Sequence, residues 1–283
     1  MTIVIGSRVE KIIKLTIENA GKLVTEVSPL DVVPYLIEVD STDLATMNSL
    51  GISVSGQYPA SIYVTDKTKK IGSARITCSA PGFIGVFDNR LSHSARINLS
   101  IRANGEDCSA LFLGMNHGEA SLSNVFLRSP RQTLLWGSTA TAVGATIEIE
   151  GDGRSVYVGD DCMLSYAVIL RNHDMHTIFD LESGEIQNQD TCDMRIEQHV
   201  WVGQEALLLR SPRVGYGSII GAKSFVKDNV PTTCVFAGAP GRVLRSGTSW
   251  TRAVRYVDAA TKARLKRLAD FEATQPVDAA SRS

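Results

Sequence analysis

The chain has 283 residues, 43% of them apolar, and a formal net charge of −1. That length permits one large folded unit or one unit with appendages, and the balanced charge excludes a chain-wide basic field for nucleic acid or anionic membrane. The five cysteines (Cys78, Cys108, Cys162, Cys192, Cys234) form no C-x-x-C pair, which points to reduced structural thiols and a cytoplasmic setting rather than a disulfide frame or zinc knuckle.

Residues 1–15 include Arg8, Glu10, Lys11 and Lys14, so they lack the apolar run of a signal peptide, and nowhere do eighteen apolar residues run together. Neither export nor a membrane span is expected. Ile12-Ile13-Lys14-Leu15-Thr16-Ile17 and Ser61-Ile62-Tyr63-Val64 alternate as strands do, and 41–50 reads as a short helix with Ser41 as N-cap and Gly51 as its stop. Residues 1–74 are therefore expected to form a small N-terminal cap or accessory module that shields the open end of the unit that follows.

Residues 75–245 carry a repeat. Leu113 with Gly114, and Val143 and Ile149 with Gly144, keep a partial six-residue register, and Val158, Leu164 and Leu170 tighten it. From Ile196 the period is strict: Ile196, Val202, Leu208, Val214, Ile220 and Val226 fall six apart. Small or compact residues, Ala206, Pro212, Ser218 and Ser224, stand two positions before four of these, and Gly203, Gly215 and Gly221 follow three of them. A six-residue unit is one short strand plus a turn, and strand alternation sends the aliphatic and its i−2 neighbour to one inner face. Three units close a triangular coil, so residues eighteen apart stack at about 4.8 Å. Ile196 should lie under Val214, Val202 under Ile220 and Leu208 under Val226, with the glycines easing turns of unusual backbone geometry.

A strict six disfavours a β-sandwich, whose turn signals fall at longer spacing, and the longer, less even coils of a right-handed β-helix. The expected fold is all-β: a left-handed parallel β-helix of hexapeptide repeats. The interval from Leu170 to Ile196 is not a multiple of six, so a segment loops out there, beginning Asn172-His173-Asp174-Met175-His176-Thr177-Ile178. Beyond the solenoid, in 246–283, Val254, Val257, Leu265, Leu268 and Phe271 recur at near-helical spacing, which predicts a C-terminal helix and a loose tail.

The run from Val200 to Arg245, closing on Ala-Gly-Ala-Pro-Gly-Arg-Val-Leu-Arg, resembles the terminal coils of hexapeptide-repeat acyltransferases. The looped-out segment is similar to the S-D-x-H-x-I loop of polysaccharide and sialic-acid O-acetyltransferases, matching at Asp174, His176 and Ile178 and departing at Asn172 and His173. The resemblance implies acetyl-CoA as co-substrate, a saccharide or sugar-nucleotide acceptor, and a homotrimer with sites where prisms meet. It gives His176 the general-base position, since a neutral imidazole can take the proton of an attacking hydroxyl. Asp174 would orient that ring or else cap the loop. Trp201 matches a tryptophan whose indole N–H can position the thioester or its oxyanion.

Coenzyme A is expected along Gly203, Gly221 and Ala222, with Lys223, Lys227, Arg242 and Arg245 as candidates for its phosphates. Lys223 replaces the usual glycine of a G-A-G-S turn. Two other readings remain open: a non-catalytic trimeric scaffold, and a zinc lyase like the gamma carbonic anhydrases. The latter would draw on His93, His117, His173, His176 and His199, but no ligand spacing supports it and no metal is expected.

Overall fold

The computed structural model describes residues 7–90, 96–114, 119–188, 191–210 and 213–275. Its strands stack as the rungs of a parallel β-solenoid. One sheet has eight strands: Ile37–Val39, Ser61–Val64, Ile84–Phe87, Ser109–Phe112, Thr133–Trp136, Ser155–Val158, Met194–Ile196 and Arg213–Val214. The first two pair antiparallel and the rest stack parallel. A thirteen-stranded sheet forms the remaining sides.

The strict hexads stack as their spacing predicts. Ile196 lies opposite Val214, Val202 opposite Ile220 and Leu208 opposite Val226. Val158, Leu164 and Leu170 fall on the same three columns, opposite Ile196, Val202 and Leu208. All nine side chains are buried in one continuous core. Ala206, Ser218 and Ser224 are buried beside them, and the two serine hydroxyls donate to backbone carbonyls of Pro231 and Gly221 at 2.6 and 2.7 Å. Pro212 lies outside the described residues.

The column glycines have a different reason from the one expected. Gly159, Gly203 and Gly215 do not adopt positive φ; a Cβ on Gly203 would stand 2.6 Å from the Ala222 nitrogen, and one on Gly215 2.5 Å from the Thr232 nitrogen. Close approach of the next coil excludes a side chain there. The left-handed corner comes two residues later, at Asp161, Glu205, Gly217 and Lys223, with φ of 57°, 59°, 68° and 57°.

Upstream the coils are longer. Partners such as Ile62 and Gly85, Ala110 and Leu134, or Ala120 and Ala142 are 22 to 24 residues apart. Long strands, Gly72–Cys78, Arg96–Ala103, Glu119–Leu127 and Thr141–Ile149, each span what later becomes two sides. The last of these shows it directly: Thr141 and Ala142 pair with Met163–Leu164, while Thr146 to Glu148 pair with Ile169–Arg171. A bulge at Gly144, φ 85°, turns the corner. Hence Val143 points outward, 50% exposed, and Ala142, Ala145, Ile147 and Ile149 are the inner residues. Parallel stacking also begins before residue 75, with Ile52–Gly56 on Gly72–Cys78 and Ser61–Val64 on Ile84–Phe87.

Residues 12–17 are not a strand. They lie within helix α1, Ser7–Ala20, because Val9, Ile13, Thr16, Ile17 and Ala20 form one buried stripe at helical spacing. That stripe packs on the outer face of the eight-stranded sheet, against Tyr63, Ile84, Val86, Leu111, Leu113, Leu135 and Tyr157. The sheet is apolar on both sides, and Leu113 belongs to this outer cluster rather than to the coil interior. Helix α2, Pro29–Val32, carries a capping box from Ser28 and Asp31. Helix α3, Leu44–Leu50, ends at Gly51 as expected, but its N-cap is Asp43, whose carboxylate accepts from the Thr46 N–H.

Helix α4, Ala259–Thr274, starts at the Asp258 cap, so Val254 and Val257 precede it and are exposed. It bridges the two ends of the chain. Glu272 accepts from Arg213 and from the Tyr216 hydroxyl at 3.0 Å each, and Arg267 pairs with Glu26. No helix among the described residues is long and apolar enough to cross a membrane.

Candidate active site

The coil that starts at Ser155 is offset from the next by 38 residues where the following coil is offset by 18. The excess is the segment after Arg171, and side chains at its base pin it. Asn172 is fully buried; its Oδ1 accepts from the Glu150 N–H at 2.8 Å, and its Nδ2 donates to the carbonyls of Glu150 and Cys192 at 2.9 and 3.0 Å. One amide thus ties both feet of the insertion to the preceding coil. Asp174 Oδ2 accepts from Arg210 Nη1 at 2.9 Å and from Asn188 Nδ2 at 3.1 Å. Asn188 also donates to the His176 carbonyl at 2.8 Å and accepts from the Ile178 N–H at 2.8 Å.

His176 is exposed at the near end of this arm, its backbone held and its imidazole turned to no described hydrogen-bond partner. The described bonds of Asp174 run to Arg210 and Asn188 and do not reach the His176 ring. Beyond it the arm closes on an antiparallel bridge between Phe179 and Ile186, with Asp180 accepting from the Glu182 and Ser183 N–H groups. Its apolar side chains are uncovered: Ile178, Phe179 and Ile186 are about half exposed and Leu181 is 90% exposed.

Trp201 stands on another side of the coil, between Met163 and Ile219, and no described hydrogen bond or ring contact joins it to His176 within one chain. Its indole N–H reaches Ser165 Oγ at a long 3.3 Å. Its ring leans on Trp250, centroids 6.1 Å apart. Trp250 in turn stacks on His199 at 4.3 Å, nearly coplanar, and donates from Nε1 to the His199 carbonyl at 2.8 Å. His199 Nδ1 lies 2.8 Å from Asp161 Oδ2 and Nε2 lies 2.9 Å from the Trp250 carbonyl oxygen, so neither nitrogen is left for a metal. Arg252 closes the knot on Asp161 Oδ1 at 2.8 Å and the Cys162 carbonyl at 2.9 Å. Burial would raise the Asp161 carboxyl, but His199 and Arg252 hold it below its ordinary value.

The residues expected along coenzyme A gather at the last coils. Gly203 and Gly221 let the next coil approach closely, and Ala222 and Lys223 are exposed at the corner. The Lys223 ammonium is 3.6 Å from Glu205 Oε2, a loose surface pair. Lys227 is exposed, as are Arg242 and Arg245 on the hairpin that joins Cys234–Gly238 to Gly241–Ser246.

Sequence reasoning missed Asn172, Asn188, Arg210, Trp250 and Arg252. Only Asn172 carried a signal, as a departure from a small residue at the foot of the loop. Among the described residues no three His, Cys, Asp or Glu side chains cluster as a metal site, and His93 and His117 lie outside them. Burial pushes the thiols up, Cys78 and Cys108 to about 11 and Cys162 to about 12, so they stay protonated.

No family model matches the chain. Over 112 residues it is 32% identical to a polysialic acid O-acetyltransferase of Escherichia coli O1:K1 / APEC, covering 40% of this chain and 36% of that protein. Over 55 residues it is 42% identical to a polysialic acid O-acetyltransferase of Neisseria meningitidis, covering 19% of this chain and 25% of that protein. The alignments thus span about a third and a quarter of those relatives. The crystal structure of the polySia-specific acetyltransferase NeuO superposes with a TM-score of 0.61 over 80% of this chain and 92% of that one, at 20% identity, a likeness of fold.

Proposed function

We propose that this chain, a homologue of polysialic acid O-acetyltransferases, moves the acetyl group of acetyl-CoA onto a hydroxyl of a saccharide or sugar-nucleotide acceptor. The observation that carries this reading is His176, exposed on an insertion whose backbone is fixed by Asn188 and whose base is fixed by Asn172. Such a histidine has its backbone placed before it acts, while its ring is left free to meet an acceptor.

The acceptor oxygen attacks the thioester carbonyl as its proton passes to the His176 imidazole. The tetrahedral intermediate then collapses with cleavage of the C–S bond, and the imidazolium returns the proton to the departing thiolate. The Trp201 N–H, only weakly engaged by Ser165, is the donor for the oxyanion. Direct transfer suits a chain whose described cysteines are kept protonated by burial and so offer no thiolate for an acyl-enzyme. Coenzyme A is a substrate here; its pantetheine arm runs along the backbone of Gly203, Gly221 and Ala222, and Lys223, Lys227, Arg242 and Arg245 meet its phosphates.

His176 rises from the insertion after Ile169–Arg171, and Trp201 stands on another side of the next coil, so a complete site needs two copies. The uncovered arm residues Ile178, Phe179, Leu181 and Ile186 support a homotrimer in which each arm lies on a neighbour. Calorimetric titration with coenzyme A separates this reading from a scaffold. Saturable binding that survives His176→Ala is expected; absence of binding to the wild-type chain would reject it.

A further inference from the structure

Three residues before His176 stands a second histidine with an unusual setting. His173 is 5% exposed, and its Nδ1 accepts from the Met175 N–H at 3.1 Å. An acceptor side chain at position i bonded to the N–H at i+2 is the geometry of an Asx turn, normally supplied by Asp, Asn or Ser. Here an imidazole supplies it. Met175 sits at φ 70°, the left-handed region that a side chain adopts only when its surroundings hold it.

The tautomer follows from the geometry. The Met175 N–H can only donate, so Nδ1 is unprotonated and the ring hydrogen of the neutral imidazole is on Nε2. That Nε2 is buried and has no hydrogen-bond partner. Burial holds the ring below its ordinary pKa, against the pull of Glu150 and Glu148, while Arg171 and Arg128 add to the depression. A buried donor left unpaired is destabilising, a penalty that packing alone gives no reason to keep. An apolar residue would fill the same space without it.

The bond fixes the Asp174–Met175 peptide, one peptide before the link between Met175 and His176. On the other side, Asn188 holds the His176 carbonyl and the Ile178 N–H. The residue assigned the proton transfer is therefore held from both sides by side chains, through the peptide that enters Met175 and the peptide that leaves His176, while its own ring remains at the surface.

We infer that His173 and Asn188 are positioning residues that together set the direction of the His176 imidazole, His173 by replacing the oxygen of an Asx-type turn. The inference rests on the assignment of His176 as the base.

Three variants of the full chain test it, with kcat and KM for acetyl-CoA measured beside thermal melting. His173→Ala is expected to lower kcat about tenfold to a hundredfold with KM changed less than about twofold, because misdirection of the base affects the chemical step and not thioester binding. His173→Asn, which restores an acceptor for the Met175 N–H, should recover most of that loss. Asn188→Ala, on the opposite clamp, should repeat the kcat effect, and it decides the matter if His173→Ala melts early. Wild-type kcat in a folded His173→Ala or in Asn188→Ala overturns the inference, as does a His173→Asn variant as slow as His173→Ala. Full turnover by His176→Ala would instead remove the functional reading beneath it.

Discussion

At the residue scale, the site is built from side chains that serve backbone. Asn172, His173, Asp174 and Asn188 each hold a peptide or a partner side chain of the insertion, and the His176 side chain is exposed with no described bond of its own. Asp174 was legible as part of a loop motif, yet its partner Arg210 lies 36 residues away and only the fold brings them together. Lys223 shows a different trade. At φ 57° it occupies a corner where glycine costs nothing and a side chain costs about 1 kcal/mol. Lys223→Gly should therefore leave thermal stability equal or raised while weakening coenzyme A binding about three- to tenfold, as loss of one phosphate contact would. Calorimetry and a melting curve on the same sample check both halves, and unchanged affinity would remove Lys223 from the phosphate set.

At the scale of elements, the strict hexads were readable because each short strand contributes one inward aliphatic at a fixed interval, and the register of Ile196, Val202 and Leu208 on the next coil follows directly. The earlier rungs were not, because a strand such as Thr141–Ile149 bends at a bulge and shifts phase midway. Helix α1 was hidden for a related reason. Its β-branched residues mimic strand alternation, and the apolar outer face of the eight-stranded sheet that selects a helical stripe is invisible locally.

The segment after α1 is latched to the solenoid by Asp160, which accepts from the Thr25 hydroxyl at 3.0 Å and from the Glu26 and Ser138 N–H groups at 2.9 and 2.7 Å. Asp160→Ala strands these donors, and a loss of about 2–4 kcal/mol is expected in denaturant unfolding. Burial also pushes the Asp160 carboxyl up to about 6. The native chain then binds a proton that the unfolded chain does not, between about pH 6 and the ordinary carboxylate range, so this group adds stability as pH falls through that window. The melting temperature of wild type relative to Asp160→Asn should rise from pH 7 to pH 5; a constant difference would contradict the shift.

At the scale of the molecule, the solenoid supplies rigid registers, and the proposed site draws on places where the repeat is broken or ends: the insertion after Arg171, the exposed corner at Ala222 and Lys223, and the C-terminal segment that stacks Trp250 against His199 and Trp201. In the proposed trimer the exposed Leu181 and Phe179 lie on a neighbouring copy, and light scattering is then expected to give about three times the 30.6 kDa chain mass. Phe179→Asp with Leu181→Asp should dissociate that species and abolish turnover together; a monomeric wild type with full activity would contradict a shared site. The most direct test of the whole account is transfer itself: incubation of the chain with acetyl-CoA labelled in the acetyl group and a panel of acidic and neutral saccharides, followed by detection of the acetyl ester. Labelled ester formed by wild type and reduced at least about a hundredfold in a folded His176→Ala variant is the predicted result. Equal ester formation by the two proteins would contradict it.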